Sequence, residues 1–151
     1  MIVEPDGRVW VCEPTNQFGG SPRPFPKGTR VAGWSRQATA AREVFEETGL
    51  LVEVGAFLID CGRRHSVTRF FLARRIGGSP SAMGWETQAL WLVPMAQLWT
   101  YAPVGYDAPV IDIVLTRSGR ASPGTDGRLA IEDARRGGEP PMISVQGDGL
   151  E

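Results

Sequence analysis

The amino-acid sequence predicts a mixed α/β domain over residues 1–115, followed by a disordered tail over residues 116–151. Short segments rich in β-branched and aromatic residues alternate with turn sequences, which is typical of strands. Residues 35–49 instead distribute apolar and acidic side chains with a helical period. After residue 116 the apolar periodicity ends, and glycine and proline become frequent. Such a composition favours a chain without a packed core.

Strands are predicted where β-branched and aromatic residues lie between turn signals. Pro5-Asp6-Gly7 joins the first two strands as a hairpin, because proline fixes φ and glycine accepts a positive φ. Residues 61–64 turn the third strand into the fourth, which gives a second and longer hairpin. The predicted strands span residues 1–4, 8–12, 51–60, 65–75 and 87–93.

The remaining segments are predicted as loops and short helices. Residues 16–26 and 76–84 are loops, because their glycine and proline content suits neither helix nor strand. A short helix is predicted at residues 95–99. A last helix is predicted at residues 107–115, where Pro109 is tolerated in the first turn.

The first helix carries an unusual group of carboxylates. We expect it to start at Ser35 as N-cap and to end at Gly49, which accepts the left-handed conformation. At about 100° per residue, Glu43, Glu46 and Glu47 fall within one arc. Like charges at these spacings destabilise a helix by a few tenths of a kcal/mol per pair. A divalent cation would neutralise them, so a metal site is indicated, with a solvated acidic face as the alternative.

The tail has no pattern that predicts packing. Residues 117–151 contain seven Gly and three Pro, and five Arg stand against six Asp and Glu. The tail is therefore neither a charged arm nor a periodic element. Residues 142–145, Met-Ile-Ser-Val, form its only apolar segment.

Composition excludes several classes of protein. The 151 residues, 42% of them hydrophobic, suffice for one domain with a substantial core. A net charge of -1 gives no reason to expect stable binding to nucleic acid or to an anionic membrane. No apolar run is long enough to cross a membrane, and the first residues lack the features of a signal peptide. Cys12 and Cys61 show neither metal spacing nor a disulfide framework, so we expect reduced thiols in a cytoplasmic protein. We expect the protein to be a monomer or a homodimer.

Residues 42–50, REVFEETGL, match at every position the second half of the Nudix box, RExxEExGU, in which U is aliphatic. Counting back, the opening glycine of the box falls on Gly28, directly after Pro26-Lys27. The first glutamate of the box falls on Trp34, which is a departure. The chain therefore resembles the Nudix hydrolases, and the order of its strands, helix and long hairpin extends that resemblance more loosely over the predicted domain.

The resemblance implies a mixed β-sheet sandwiched by helices. It also implies a hydrolase that cleaves the diphosphate linkage of a nucleoside diphosphate joined to another group, with Mg²⁺ or Mn²⁺ as cofactor. The metal carboxylates carry over onto Glu43, Glu46 and Glu47, and the backbone carbonyl ligand onto Gly28. Arg42 is expected to orient these glutamates, with a plain ion pair along the helix as the alternative. The metal withdraws charge from phosphorus and lowers the pKa of a water that attacks in line.

A general base is needed as well. In different relatives it is a box glutamate, here Glu46 or Glu47, or a glutamate beyond the box. Glu86 lies where the outlying glutamate is often found, just before the late strand, and is the first acidic residue after Asp60. An exposed loop residue is the alternative interpretation of Glu86.

The segment between Asp60 and Glu86 is basic and contains no acidic residue. Together with the acidic helix, it suits a substrate with several phosphates. Solubilising surface residues are the alternative. The candidate substrate-binding residues are Arg63, Arg64, His65 and Arg69 in this segment, and Lys27 in the loop before Gly28.

The substrate subclass is predicted less sharply. Pro-Lys-Gly and the basic turn resemble hydrolases of dinucleoside polyphosphates and of diphosphoinositol polyphosphates. However, His65 stands where ADP-ribose hydrolases have a proline, and the tyrosine of many dinucleoside polyphosphate hydrolases is missing. We favour a polyphosphate-rich small molecule. Five aromatic residues could stack on a nucleobase, with packing in the core or at the rim of the site as the alternative: Trp10, Phe18, Phe25, Trp34 and Trp85.

Two alternatives to the enzyme stay open. Trp34 cannot accept a hydrogen bond, because its indole only donates, so the chain could be a catalytically impaired domain that binds a nucleotide and regulates another process. The second alternative is a metal-binding domain whose tail recruits a partner. We also expect the chain to be shortened at its N-terminus, because residues 1–4 offer less of a first strand than Nudix domains usually have.

Overall fold

The computed structural model describes residues 1–15, 25–62, 64–101 and 107–119, and the backbone of residues 144–145 and 148–149. Strands are β1 (Ile2–Val3), β2 (Arg8–Pro14), β3 (Leu50–Gly62), β4 (Ser66–Gly78), β5 (Thr87–Pro94), β6 (Ser144–Val145) and β7 (Asp148–Gly149). Helices are α1 (Arg36–Thr48), α2 (Leu98–Tyr101) and α3 (Ala108–Arg117), with 3-10 turns at Pro80–Ala82 and Met95–Gln97.

The sheet is mixed, and its strand order is β3-β4-β1-β2-β5. β1 pairs parallel to β4, while the β3–β4, β1–β2 and β2–β5 pairs are antiparallel. The short strands β6 and β7 pair antiparallel with β4. The mixed α/β fold class predicted from the sequence is confirmed.

Local sequence signals set both ends of α1. The amide of Ala38 donates to the Ser35 hydroxyl at 3.0 Å, which satisfies a free backbone donor of the first turn. Gly49 ends the helix at φ 70°, and its amide donates to the Phe45 carbonyl. The predicted helix is therefore correct at both ends.

The apolar side chains of α1 and α3 pack with those of the strands into one core. Val44 of α1 and Val110, Ile111, Val114 and Leu115 of α3 belong to it. Its largest fully buried side chains are Phe25, Phe70, Met1, Ile2, Leu50 and Leu98. This packing fixes the side of α1 that carries the glutamates relative to the strands and the preceding loop.

Several predicted boundaries change. The long hairpin extends to Gly62 and Gly78, and the short helix is divided into a 3-10 turn and α2. α3 continues past the predicted domain end at residue 115 to Arg117, because the first helix-breaking residue is Gly119, at φ 70°. Most of the predicted loop 16–26 and of the tail lies outside the described residues.

No helix in the described ranges has the length and hydropathy needed to cross a membrane.

Candidate active site

α1 carries the three predicted carboxylates in different environments. Glu43 is buried, at 9% exposure. The Glu46 side chain is 51% exposed, and Glu47 lies between these extremes. The helix therefore presents its acidic side obliquely, with Glu43 and Glu47 facing the loop that precedes α1.

Gly28 lies directly against the Glu43 carboxylate. A Cβ built on Gly28 would lie 2.0 Å from both Cδ and Oε2 of Glu43. Real Cβ atoms do not approach other atoms so closely, so only a glycine leaves room for this carboxylate. The structure thus places the backbone of residue 28 directly beside the buried Glu43 carboxylate.

Glu47 is held from the same loop. The backbone N–H of Lys27 donates to Oε1 of Glu47 at 3.1 Å, and the thiol of Cys12 lies 3.9 Å from Oε2. The pKa of Glu47 is raised to about 7, mainly by burial. The charges of Glu43 and Glu86 contribute to this rise, and the hydrogen bond and charge of Lys27 oppose it. An added positive charge at this place would relieve the cost of ionising Glu47.

Burial also raises the pKa of Glu43. Arg42 opposes this rise through its charge and a hydrogen bond, whereas Glu46 and Glu86 add to it. The carboxylates of Glu43 and Glu47 therefore lie in a common field of negative charge that includes Glu86.

The Arg42 guanidinium is shared between two of the glutamates. Its Nη2 pairs with Oε1 of Glu43, and its Nη1 donates to Oε1 of Glu46 at 3.3 Å. Its buried Nε has no hydrogen-bond partner among the described residues. Trp34, where the box has a carboxylate, is 48% exposed. Arg42 thus contacts Glu43 and Glu46, two of the three glutamates that it was predicted to orient.

The loop that carries Glu86 is tied to α1 and to β2. The amide of Gly84 donates to the Glu46 carbonyl at 2.7 Å, and the amide of Thr15 donates to the Glu86 carbonyl at 2.8 Å. This anchoring keeps the exposed Glu86 side chain near the helix, where its charge acts on Glu43 and Glu47. Trp85 beside it is 76% exposed.

The donor chemistry fits a hard divalent cation, which prefers carboxylate and carbonyl oxygens. The space that only glycine leaves at Glu43, and the burial and neighbouring negative charges that raise the pKa of Glu43 and of Glu47, are both consistent with a cation between these groups. In the described part of the chain, however, no three Asp, Glu, His or Cys side chains converge as ligands. Glu46 points to solvent and to Arg42.

Lys27 does not present its ammonium group to the site. Nζ contacts both carboxylate oxygens of Asp107, at 2.6 and 2.5 Å, and the two side chains are only 10% and 9% exposed. The prediction that Lys27 binds a substrate phosphate is therefore not supported. The ammonium is buried and pairs with the Asp107 carboxylate, while the backbone amide of Lys27 donates to Glu47.

The basic hairpin is largely neutralised by neighbouring strands. Arg69 donates through Nε and Nη2 to Asp60 at 2.8 and 2.6 Å, so its predicted contact with substrate is not supported. Arg74 pairs with Glu53, and Arg75 with Glu4. Of the remaining candidates, Arg64 and His65 are exposed at the hairpin tip, and Arg63 lies outside the described residues.

Sequence reasoning missed Asp107 and Cys12. The sequence predicts Asp107 only as the start of the last helix, and its pairing with Lys27 spans 80 residues along the chain. The sequence predicts Cys12 only as a reduced thiol in a strand. A lone acidic residue before an apolar helix gave no signal of the partner that it meets in the fold.

Comparisons with known proteins bear on the family and the fold of the chain. The NUDIX domain model matches residues 1–111. The solution structure of the E. coli ORF135 protein is similar at a TM-score of 0.53 and 18% identity, over 78% of this chain and 86% of that chain, which shows a shared fold alone. No curated protein matches the chain. Since the matching model spans most of the sequence, the chain belongs to the NUDIX domain family, the Nudix proteins.

Proposed function

We propose that this chain is a divalent-metal-dependent hydrolase that cleaves a phosphoanhydride bond in a nucleoside diphosphate derivative. The observation that carries the proposal is the contact between the loop and the helix. Gly28 leaves room for the Glu43 carboxylate, and the adjacent amide of Lys27 binds Glu47. Membership of the Nudix family supports the same reaction.

Glu43, Glu46, Glu47 and the carbonyl of Gly28 would hold Mg²⁺ or Mn²⁺. When bound, such a cation withdraws charge from phosphorus and lowers the pKa of a water molecule. Arg42 holds the carboxylates of Glu43 and Glu46 in place through its two terminal nitrogens.

Glu86 is our candidate for the group that accepts the proton of the attacking water. Its exposed carboxylate can reach solvent, and its loop is fixed to α1 by the Gly84 amide. Glu47 is the competing candidate, because burial raises its pKa to about 7, where a carboxylate accepts protons efficiently. Glu46, exposed and bonded to Arg42, is the third candidate.

For the substrate we keep the preference for a polyphosphate-rich molecule, such as a dinucleoside polyphosphate or a diphosphoinositol polyphosphate. Fewer basic side chains are available to bind phosphates than the sequence indicated, because Arg69, Arg74 and Arg75 pair with carboxylates. The exposed residues Arg64 and His65 at the hairpin tip support this preference. The exposed indole of Trp85, next to Glu86, offers a surface for a nucleobase.

A second candidate function is a nucleotide-binding domain with impaired catalysis. The unpartnered Nε of Arg42 favours it, since Trp34 provides no acceptor. Arg42 then competes with a cation for Glu43 and Glu46. Tight nucleotide binding without turnover would distinguish this function from the hydrolase.

The experiment is a substrate panel with Mg²⁺ and Mn²⁺, run on the wild type, Glu47→Gln and Glu53→Gln. The panel contains dinucleoside polyphosphates, ADP-ribose, nucleoside triphosphates and diphosphoinositol phosphates. We expect metal-dependent cleavage that falls by orders of magnitude in Glu47→Gln. Glu53→Gln removes an exposed carboxylate that pairs with Arg74 on the hairpin, and should be neutral. Equal rates in wild type and Glu47→Gln would overturn the assignment of α1 as the catalytic helix.

A further inference from the structure

The loop before α1 is fixed at two points. Phe25 is fully buried and meets Phe70 edge-on, with ring centroids 6.5 Å apart. Two residues later, the ammonium of Lys27 contacts both oxygens of Asp107 and lies 5.5 Å from the centre of the same Phe70 ring. The loop is thus attached to the core by an aromatic ring and to the start of α3 by a buried ion pair.

The same loop makes both contacts to the candidate metal carboxylates. The backbone amide of Lys27 donates to Glu47, and the next residue, Gly28, packs against Glu43. Lys27 therefore has two roles: its side chain pairs with Asp107, and its backbone amide binds Glu47. A displacement of Lys27 therefore moves its amide away from Glu47 and the backbone of Gly28 away from Glu43.

Loss of one partner from a buried ion pair leaves the other charge uncompensated. Without the Asp107 carboxylate, the Lys27 ammonium would have to move toward water, and it would take the loop with it. Removing Asp107 should thus disturb the backbone contacts to Glu43 and Glu47, although no described contact joins Asp107 to these glutamates.

We propose that Asp107 is a positioning residue for the metal site, and that it acts through the Lys27 side chain to hold Lys27 and Gly28 against Glu47 and Glu43. The inference deepens the proposed function and rests on it for the identity of the ligand. It gives α3 a role at the site that neither its sequence nor its distance along the chain indicates.

The test compares full-length wild type with Asp107→Asn, and uses Asp112→Asn, on the same helix, as the matched control. Two quantities are measured: Mn²⁺ binding by electron paramagnetic resonance, and hydrogen exchange of the Lys27 amide in metal-free protein. We expect Asp107→Asn to weaken Mn²⁺ binding about 10- to 100-fold, as for other residues that orient metal ligands. It should also accelerate exchange of the Lys27 amide, whereas Asp112→Asn should change neither quantity.

Folded Asp107→Asn with wild-type Mn²⁺ affinity and a protected Lys27 amide would overturn the inference. If that variant does not fold, Lys27→Met/Asp107→Leu replaces it, because this pair leaves no buried charge. Wild-type affinity in the double variant would also overturn the inference, and weakened affinity would support it. Absence of Mn²⁺ binding in wild type would reject the proposed metal site instead, and the exchange rate of the Lys27 amide would still decide whether Asp107 positions the loop.

Discussion

The backbone amide of Lys27 donates to Oε1 of Glu47 at 3.1 Å and provides the only N–H donor to that carboxylate in the described part of the chain. One hydrogen bond does not offset burial, so the pKa of Glu47 rises to about 7 from the ordinary 4.5. Ionisation of the Glu47 carboxylate in the folded protein therefore opposes folding unless a positive charge compensates it. Strongly perturbed pKa values of this kind are common at functional sites.

The first prediction concerns the pH dependence of stability. Between pH 4.5 and about 7 the folded protein binds a proton at Glu47 that the unfolded chain releases. The free energy of unfolding should therefore decrease as pH rises through this interval, by about 3 kcal/mol at most from this group. In Glu47→Gln this contribution is absent. The measurement is urea denaturation from pH 5 to 8 in the presence of a chelator.

The comparison must use the difference between wild type and Glu47→Gln. Burial lowers the pKa of the Met1 amino group, so stability gains an opposite slope at pH values below its ordinary pKa of 8.0. The raised pKa of Glu43 gives a slope of the same sign as Glu47. Arg69 lowers the pKa of Asp60 below 3.8, so Asp60 acts only under more acidic conditions. Parallel curves for the two proteins would show that Glu47 is not buried as described.

Gly28→Ala tests the contact with Glu43. The new Cβ would meet the end of a side chain rather than backbone, so Glu43 is expected to move while the fold persists. Hydrolysis and metal affinity should fall about 100-fold or more, while stability changes by about 1–2 kcal/mol. Steady-state kinetics against Mg²⁺ concentration and thermal denaturation measure the two effects. The control is Gly77→Ala, whose Cβ would meet Leu51 at an ordinary 3.7 Å. Equal behaviour of the two variants would contradict the prediction.

How far the sequence predicted this site depends on whether a signal was local. Ser35 and Gly49 mark the ends of α1 by hydrogen bonds within a few residues, so the helix and its carboxylates could be predicted. The partner of Lys27 could not, because Asp107 approaches it only through the packing of α3 on the sheet. The carboxylates that face Arg69 and Arg74 could not be predicted either, because they depend on the register of β3 against β4.

The β3–β4 hairpin shows why the partners of its arginines could not be predicted from the sequence. Asp60 faces Arg69 and Glu53 faces Arg74 across β3 and β4, but the register shifts between these two pairs. Such irregularities change which residues meet across a pair of strands, and nothing in the sequence marks their positions. A set of arginines that looked available to a substrate is therefore mostly engaged within the sheet.

Glu86→Gln tests the general base. If Glu86 accepts the proton, kcat should fall about 100- to 10,000-fold with little change in KM, since the substituted amide cannot accept a proton. Glu53→Gln again serves as the control on an exposed carboxylate. A loss of less than about fivefold would transfer the role to Glu47 or Glu46.

Arg64→Ala and His65→Ala test the hairpin tip as a phosphate-binding surface. Each should raise KM for a polyphosphate substrate about threefold to tenfold, and the effect should diminish at high salt. Arg74→Ala is the matched control, because its guanidinium already pairs with Glu53. KM values that rise equally in Arg64→Ala and Arg74→Ala would indicate a general loss of charge rather than a binding contact.

Trp34→Glu addresses the departure from the Nudix box. The buried Nε of Arg42 has no acceptor among the described residues, and its terminal nitrogens bind Glu43 and Glu46. A carboxylate at position 34 would compete for the guanidinium and release those glutamates. We expect the Mg²⁺ concentration for half-maximal activity to fall severalfold, since a charged hydrogen bond contributes about 1.5–3 kcal/mol. Trp34→Gln removes the indole without adding charge and should lack this effect. Identical Mg²⁺ dependence in the two variants would mean that Arg42 does not limit metal binding, and hydrolysis gained only in Trp34→Glu would identify the natural chain as the impaired, nucleotide-binding form.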